Sequence, residues 1–129
     1  MAEGLSSTVA NGLLDAVCRA VNYTAPTAVW IKLHTGAPKT SAASNAATET
    51  TRKQATFGNG ASGGTIANTV ALTWTSISGS QDATHFSAWD ASTSGNFLFS
   101  GTITANSYTA GDDYNVAIGA LTATLTIAS

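Results

Sequence analysis

Val29-Trp30-Ile31-Lys32-Leu33-His34 decides the fold class. Val29, Ile31 and Leu33 alternate with Trp30, Lys32 and His34, and a period of two sends alternate side chains to opposite faces of a strand. Gly36-Ala37-Pro38 ends the pattern, because proline brings no amide donor to a ladder. Upstream the period is four. Leu5, Val9, Leu13, Val17 and Val21 line up with Ala16 and Ala20 beside them, which predicts a helix over about Ser7 to Val21. Ser6 or Ser7 can cap its start by accepting from an unpaired amide, Gly12 lies within it, and its end falls toward Pro26. The apolar stripe has to be covered: either it closes one opening of the β core, or it docks on a neighbouring subunit. Cys18 falls on the apolar face, and buried packing is its expected role.

Downstream of the first strand, Lys39 to Thr51 is rich in Ala, Ser and Thr and has no apolar period. It reads as a long, exposed, mobile loop, with the alternative that contact with a neighbour orders it. Further strands are expected near Arg52 to Phe57, Thr65 to Ala67, Val70 to Trp74, Ala83 to Trp89, Asn96 to Ala105, Asp113 to Ile118 and Leu121 to Ile127, separated by Gly, Asn, Asp or Ser. About six to eight short strands at this spacing predict a mainly β fold, a β-sandwich or small antiparallel barrel with one N-terminal α-helix. Residues 1–129 are read as a single domain. Leu33, Leu72, Trp74, Phe86, Leu125 and Ile127 are the expected core.

Charged residues make up 9% of the chain, against roughly 25% in an ordinary soluble domain. Such a surface suits a protein packed against many copies of others. The net charge of -2 and the scattering of Arg19, Lys32, Lys39, Arg52 and Lys53 leave no basic footprint for nucleic acid. No run approaches the roughly 18 apolar residues of a membrane span, and the opening residues lack the pattern of a signal peptide, which points to synthesis in a cytoplasm. With one cysteine there is no internal disulfide and no CxxC zinc pattern.

Motifs that could carry chemistry have plainer readings. Gly58-Asn59-Gly60-Ala61-Ser62-Gly63 spells GxGxxG, but no helix start follows, so the amides and dipole that hold a pyrophosphate are missing and a turn is expected. His34 and His85 sit inside strand patterns, away from any GxSxG elbow; a hydrolase would need one of them to meet a Ser and an Asp in space. Asp82, Asp90, Asp112 and Asp113 fall at strand ends without a DxDxDG calcium loop, and fastening turns is their expected work. Trp30 and Trp89 could stack on a host glycan if they lay exposed beside polar groups in a shallow groove; core and interface packing is the leading expectation for the aromatics.

Three segments, in order and spanning almost the whole chain, resemble a family of small tailed-phage and prophage virion proteins. They are the opening helix with Thr24-Ala25-Pro26 and Val29 to Pro38; Glu49 to Phe57 with the glycines and Ile66-Ala67-Asn68; and Thr84 to Ala91 continuing through Gly95 to Gly101 to Ala110-Gly111-Asp112. Members are labelled tail fibre or minor tail proteins and, in some phages, capsid decoration proteins. The resemblance implies a β-rich virion component, made in the bacterial host cytoplasm, that works by assembly without enzyme activity, cofactor or metal. The leading expectation is capsid decoration: a homo-oligomer such as a trimer that staples neighbouring copies of the major capsid protein, where many weak contacts act together. A minor tail or tail-fibre protein, with tail proteins as partners, is the alternative, and a host-glycan-binding module the weaker one. Neither nucleic acid nor membrane is an expected partner. Val9 and Leu13 on the helix and Lys39, Thr40, Glu49 and Thr51 on the loop are the candidate assembly contacts.

Overall fold

The structure, a computed structural model, describes residues 3–128. In chain order it contains β1 (Gly4–Leu5), α1 (Ser7–Arg19), β2 (Val29–His34), β3 (Lys53–Ala55), β4 (Thr65–Ala67), β5 (Leu72–Trp74), β6 (Gln81–Trp89), β7 (Phe97–Tyr108), β8 (Tyr114–Val116) and β9 (Thr122–Thr124). The fold is mainly β with one helix, as the patterns predict. A five-stranded sheet has the order β1-β7-β6-β2-β3, and two ribbons pair β4 with β9 and β5 with β8. Every pairing is antiparallel. The arrangement is sandwich-like, and the described strands do not close into a barrel.

Register explains the core. Cross-strand partners share a face, so Ile31 stands beside Ala88 and Leu33 beside Phe86. Those four are fully buried and meet Leu72, Trp74, Tyr114 and Val116 from the β5/β8 ribbon. Gly101 is opposite Phe86 because space demands it: a Cβ there would lie 2.9 Å from the ring. Trp74 buries its ring but donates from Nε1 to the Thr51 carbonyl at 2.7 Å, so its one polar atom is satisfied. The GxGxxG letters form a turn, in which Ser62 and Thr65 exchange backbone hydrogen bonds around Gly63 and Gly64, both at positive φ.

Four expectations are corrected. The helix stops at Arg19 rather than running to Val21, and the cause is local: Ala20 turns left-handed at φ 55° and its amide folds back to the Asp15 carbonyl. The final strand is confined to Thr122–Thr124, preceded by the fully buried Leu121. Leu125 and Ile127, expected in the core, are 51% and 59% exposed, because they lie past the end of β9, where the chain follows the Gly63-Gly64 turn, the Leu125 amide bonding to the Gly64 carbonyl. The Lys39 to Thr51 loop is folded onto the sheet: Ala42, Ala47 and Glu49 are buried, the Ala47 amide donates to the Leu33 carbonyl, and His34 bridges to Ala46.

Candidate assembly surface

The N-terminal arm, β1 plus α1, is joined to the body by a short set of contacts. Gly4 and Leu5 pair with Ser100 and Phe99 on β7. The Gly4 amide donates to Ser100 Oγ at 3.3 Å and the Ser6 amide to the Leu98 carbonyl at 2.8 Å. Glu3 Oε1 lies 2.8 Å from His85 Nε2, whose Nδ1 is 2.7 Å from Thr84 Oγ1. Ser6 caps the helix by accepting from the Val9 amide. Beyond the cap, Val9 packs against the core and the Tyr23 ring lies on Gly12, where a Cβ would come within 2.8 Å of it.

The remainder of the helix has little cover. None of its residues is buried; Val9 and Leu13 are half-buried, while Leu14, Val17 and Val21 are 62%, 84% and 46% exposed. Cys18, expected to be buried, is exposed among them: the helix presents the opposite side to the body, and the four-residue period cannot tell which side that is. Open clefts flank β1. One of about 670 Å³ lies between residues 3–7 and Lys39, Thr40, Phe97 and Ser100; the other, of about 330 Å³, lies between β1 and β9.

The loop candidates separate. Lys39 and Thr40 are exposed and reach the start of α1 across the larger cleft. Glu49 is buried and committed internally, its carboxylate accepting from the Ser78 amide at 3.0 Å and the Thr51 amide at 3.1 Å. Burial raises the Glu49 pKa, but these donors and the Lys53 charge together hold it below the ordinary carboxylate value. Thr51 is exposed as a side chain.

On the outer face of the large sheet, His34 and Ser87 are fully buried beneath the loop. The Ser44 carbonyl can only accept, so His34 Nδ1 carries the proton it donates at 2.9 Å, and Nε2 accepts from the Ser87 hydroxyl at 2.8 Å. Trp89 Nε1 donates to the same hydroxyl oxygen at 2.8 Å. Burial pushes the imidazole pKa down, outweighing the Ser44 carbonyl that favours the charged form. This is a Ser-His contact sealed from solvent, with a carbonyl where a triad would place a carboxylate. Trp89 is half-buried, with the Arg52 guanidinium 4.1 Å from its ring centre, and Arg52 donates to the Ala91 and Ser94 carbonyls. Asp90 closes the same turn, accepting from the Asn96 backbone and side-chain nitrogens; these bonds hold its pKa below the usual range. Asp112 and Asp113 likewise accept from backbone amides, of Thr109 and Ser76.

A family profile described as podophage GP4 fiber I protein gp80 matches residues 4–124. The chain belongs to that family. It is a family of phage fibre proteins, in agreement with the virion resemblance of the sequence. No curated protein matches the chain. The gp80 match begins at the first residue of β1 and stops at the last residue of β9, so it includes the arm and omits the exposed Leu125 and Ile127. Sequence reasoning missed Leu14 and Glu3. Glu3 carried no signal, since its partner His85 is remote in sequence; Leu14 stood one position off the stripe chosen as the apolar face.

Proposed function

We propose that this chain is a non-enzymatic structural subunit of the phage particle, acting as a fibre component and held by the exposed side of α1 together with Lys39 and Thr40. The observation that carries the reading is the helix: Leu14 and Val17, at i and i+3, are exposed apolar residues on its outer side, and Val21 is exposed just past its end. Lys39 and Thr40 border the cleft at the start of the same helix, where they would add a second contact beside the exposed residues farther along it. The family description favours a fibre; in this reading the partners are tail proteins and further copies of this chain, in an oligomer such as a trimer. Capsid decoration, with the major capsid protein as partner, is the second reading, and the low charge content favours it, since such a surface suits dense packing on a shell.

Incorporation into particles grown without the native protein tests the contact surface. Leu14→Ser/Val17→Ser is expected to fold with an unchanged melting temperature and to be lost from purified particles; full incorporation would refute the surface. Copy number separates the two placements. Hundreds of copies per particle would mean decoration, and a small number confined to the tail would mean a fibre.

A further inference from the structure

We propose that the arm is exchanged between copies, residues 3–19 of one copy docking on β6 and β7 of a second. The receiving groups are the Leu98 carbonyl, Ser100 Oγ and His85 Nε2, which take the Ser6 amide, the Gly4 amide and the Glu3 carboxylate. An identical arm from another copy meets these groups equally well, so the segment joining arm to body decides which copy supplies it. That segment, residues 20–28, contains no helix or strand. Ala20 and Val21 direct their amides to Asp15 on the helix itself, and most of the segment is exposed. With Tyr23 held on Gly12, residues 24–28 reach about 17 Å when extended, and release of Tyr23 and of the Ala20 and Val21 amides lengthens the joint to nine residues and about 30 Å.

Detaching the arm breaks a short set of contacts, the Ser6, Gly4 and Glu3 bonds and the packing of Val9 on the core. Its strand pairs through Gly4 and Leu5 alone, clefts of about 670 and 330 Å³ lie on either side of that strand, and no residue of α1 is buried. With the same contacts in either arrangement, the balance between own and neighbouring arm is set by local concentration, which is high wherever copies are held side by side. The Glu3 and His85 pairing adds a register mark, since an arm shifted by one residue would withdraw the carboxylate from the imidazole. The inference deepens the fibre reading and depends on it for that crowding.

Cysteine trapping tests it. Because Ser6 and Leu98 form a hydrogen-bonded pair, the adjacent Leu5 and Phe99 are of the non-hydrogen-bonded type, whose side chains lie closest and within disulfide reach. Leu5→Cys/Phe99→Cys in a Cys18→Ser background is oxidised at about 1 mM and at about 1 µM protein, concentrations that bracket weak association. Disulfide-linked dimers and larger species are expected at the higher concentration and internally linked monomer at the lower; internal links alone at both would overturn the proposal. If circular dichroism shows that pair unfolded, Ser7→Cys/Cys18→Ser carrying a benzophenone is used instead, at an exposed position. Equal amounts of ordinary and nitrogen-15 protein are mixed, unfolded, refolded together at the higher concentration and illuminated. Mixed-isotope links to the Leu98 to Gly101 stretch support exchange, and single-isotope links alone refute it. Such a refutation leaves the helix-face reading intact, because particle incorporation reads that one separately.

Discussion

In the body of the protein Ile31, Leu33, Phe86 and Leu121 lose all contact with solvent, whereas on α1 Val17 keeps 84% of its surface exposed. Both regions have regular apolar periods, and both are hydrogen-bonded as those periods predict. The difference is that β2 and β6 lie under the β5/β8 ribbon, while α1 touches the body near its first turn, through Val9, and meets Tyr23 of the joining segment at Gly12. A helix of 13 residues is marginal by itself in water, so α1 depends on its capped start and on whatever covers its outer side. The comparison separates a region that sustains the fold from one available for contact.

The largest expected effect lies in the body. Phe86→Ala leaves a cavity beneath Gly101 and is expected to cost about 3–5 kcal/mol, against a change within about 0.5 kcal/mol for Val17→Ala. Urea titration of both variants measures the contrast, and comparable losses would mean that α1 is more deeply integrated than its exposure shows. The two ends of the last apolar alternation provide a second contrast. Leu121→Ala is expected to cost about 2–5 kcal/mol and Leu125→Ala less than about 0.5 kcal/mol; a large loss at Leu125 would reveal a contact over that face.

His34 gives a pH test of the body. Burial lowers its pKa from the ordinary value of about 6.5, so as pH falls below that value the unfolded chain takes up a proton that the folded chain refuses. Stability is therefore expected to decline from about pH 6.5 down towards the lowered folded value. His34→Gln should flatten that part of the profile while costing about 1–3 kcal/mol for disturbing the buried network. Denaturation midpoints between pH 7.5 and 5.5 measure both, and an unchanged slope in the variant would assign the decline to other groups. A small gain is expected where the arm joins the body: Ala20→Gly relieves the left-handed helix end and is expected to stabilise by at most about 1 kcal/mol, read as a small rise in melting temperature. A loss would show that Ala20 makes a contact worth more than the strain.

By itself the sequence determined the strand identity of Val29 to His34, the alternation that buries Leu72 and Trp74, the capped start of α1 and the virion family. These follow from local periods and from residues whose order survives along the whole chain. Tertiary structure alone decided what covers each face. Alternation states that Leu121, Ala123, Leu125 and Ile127 share a side, but the ribbon packing buries the first and leaves the last two in solvent. The loop shows the same limit: Lys39, Ala42 and Asn45 adopt positive φ without glycine, and Ala42 and Ala47 are buried, because the chain is held over the outer face by the Ser44 carbonyl on His34 and by the backbone bonds to Leu33 and Thr35. No local pattern encodes such a path, since its partners lie on another segment and its free energy comes from contacts with that segment.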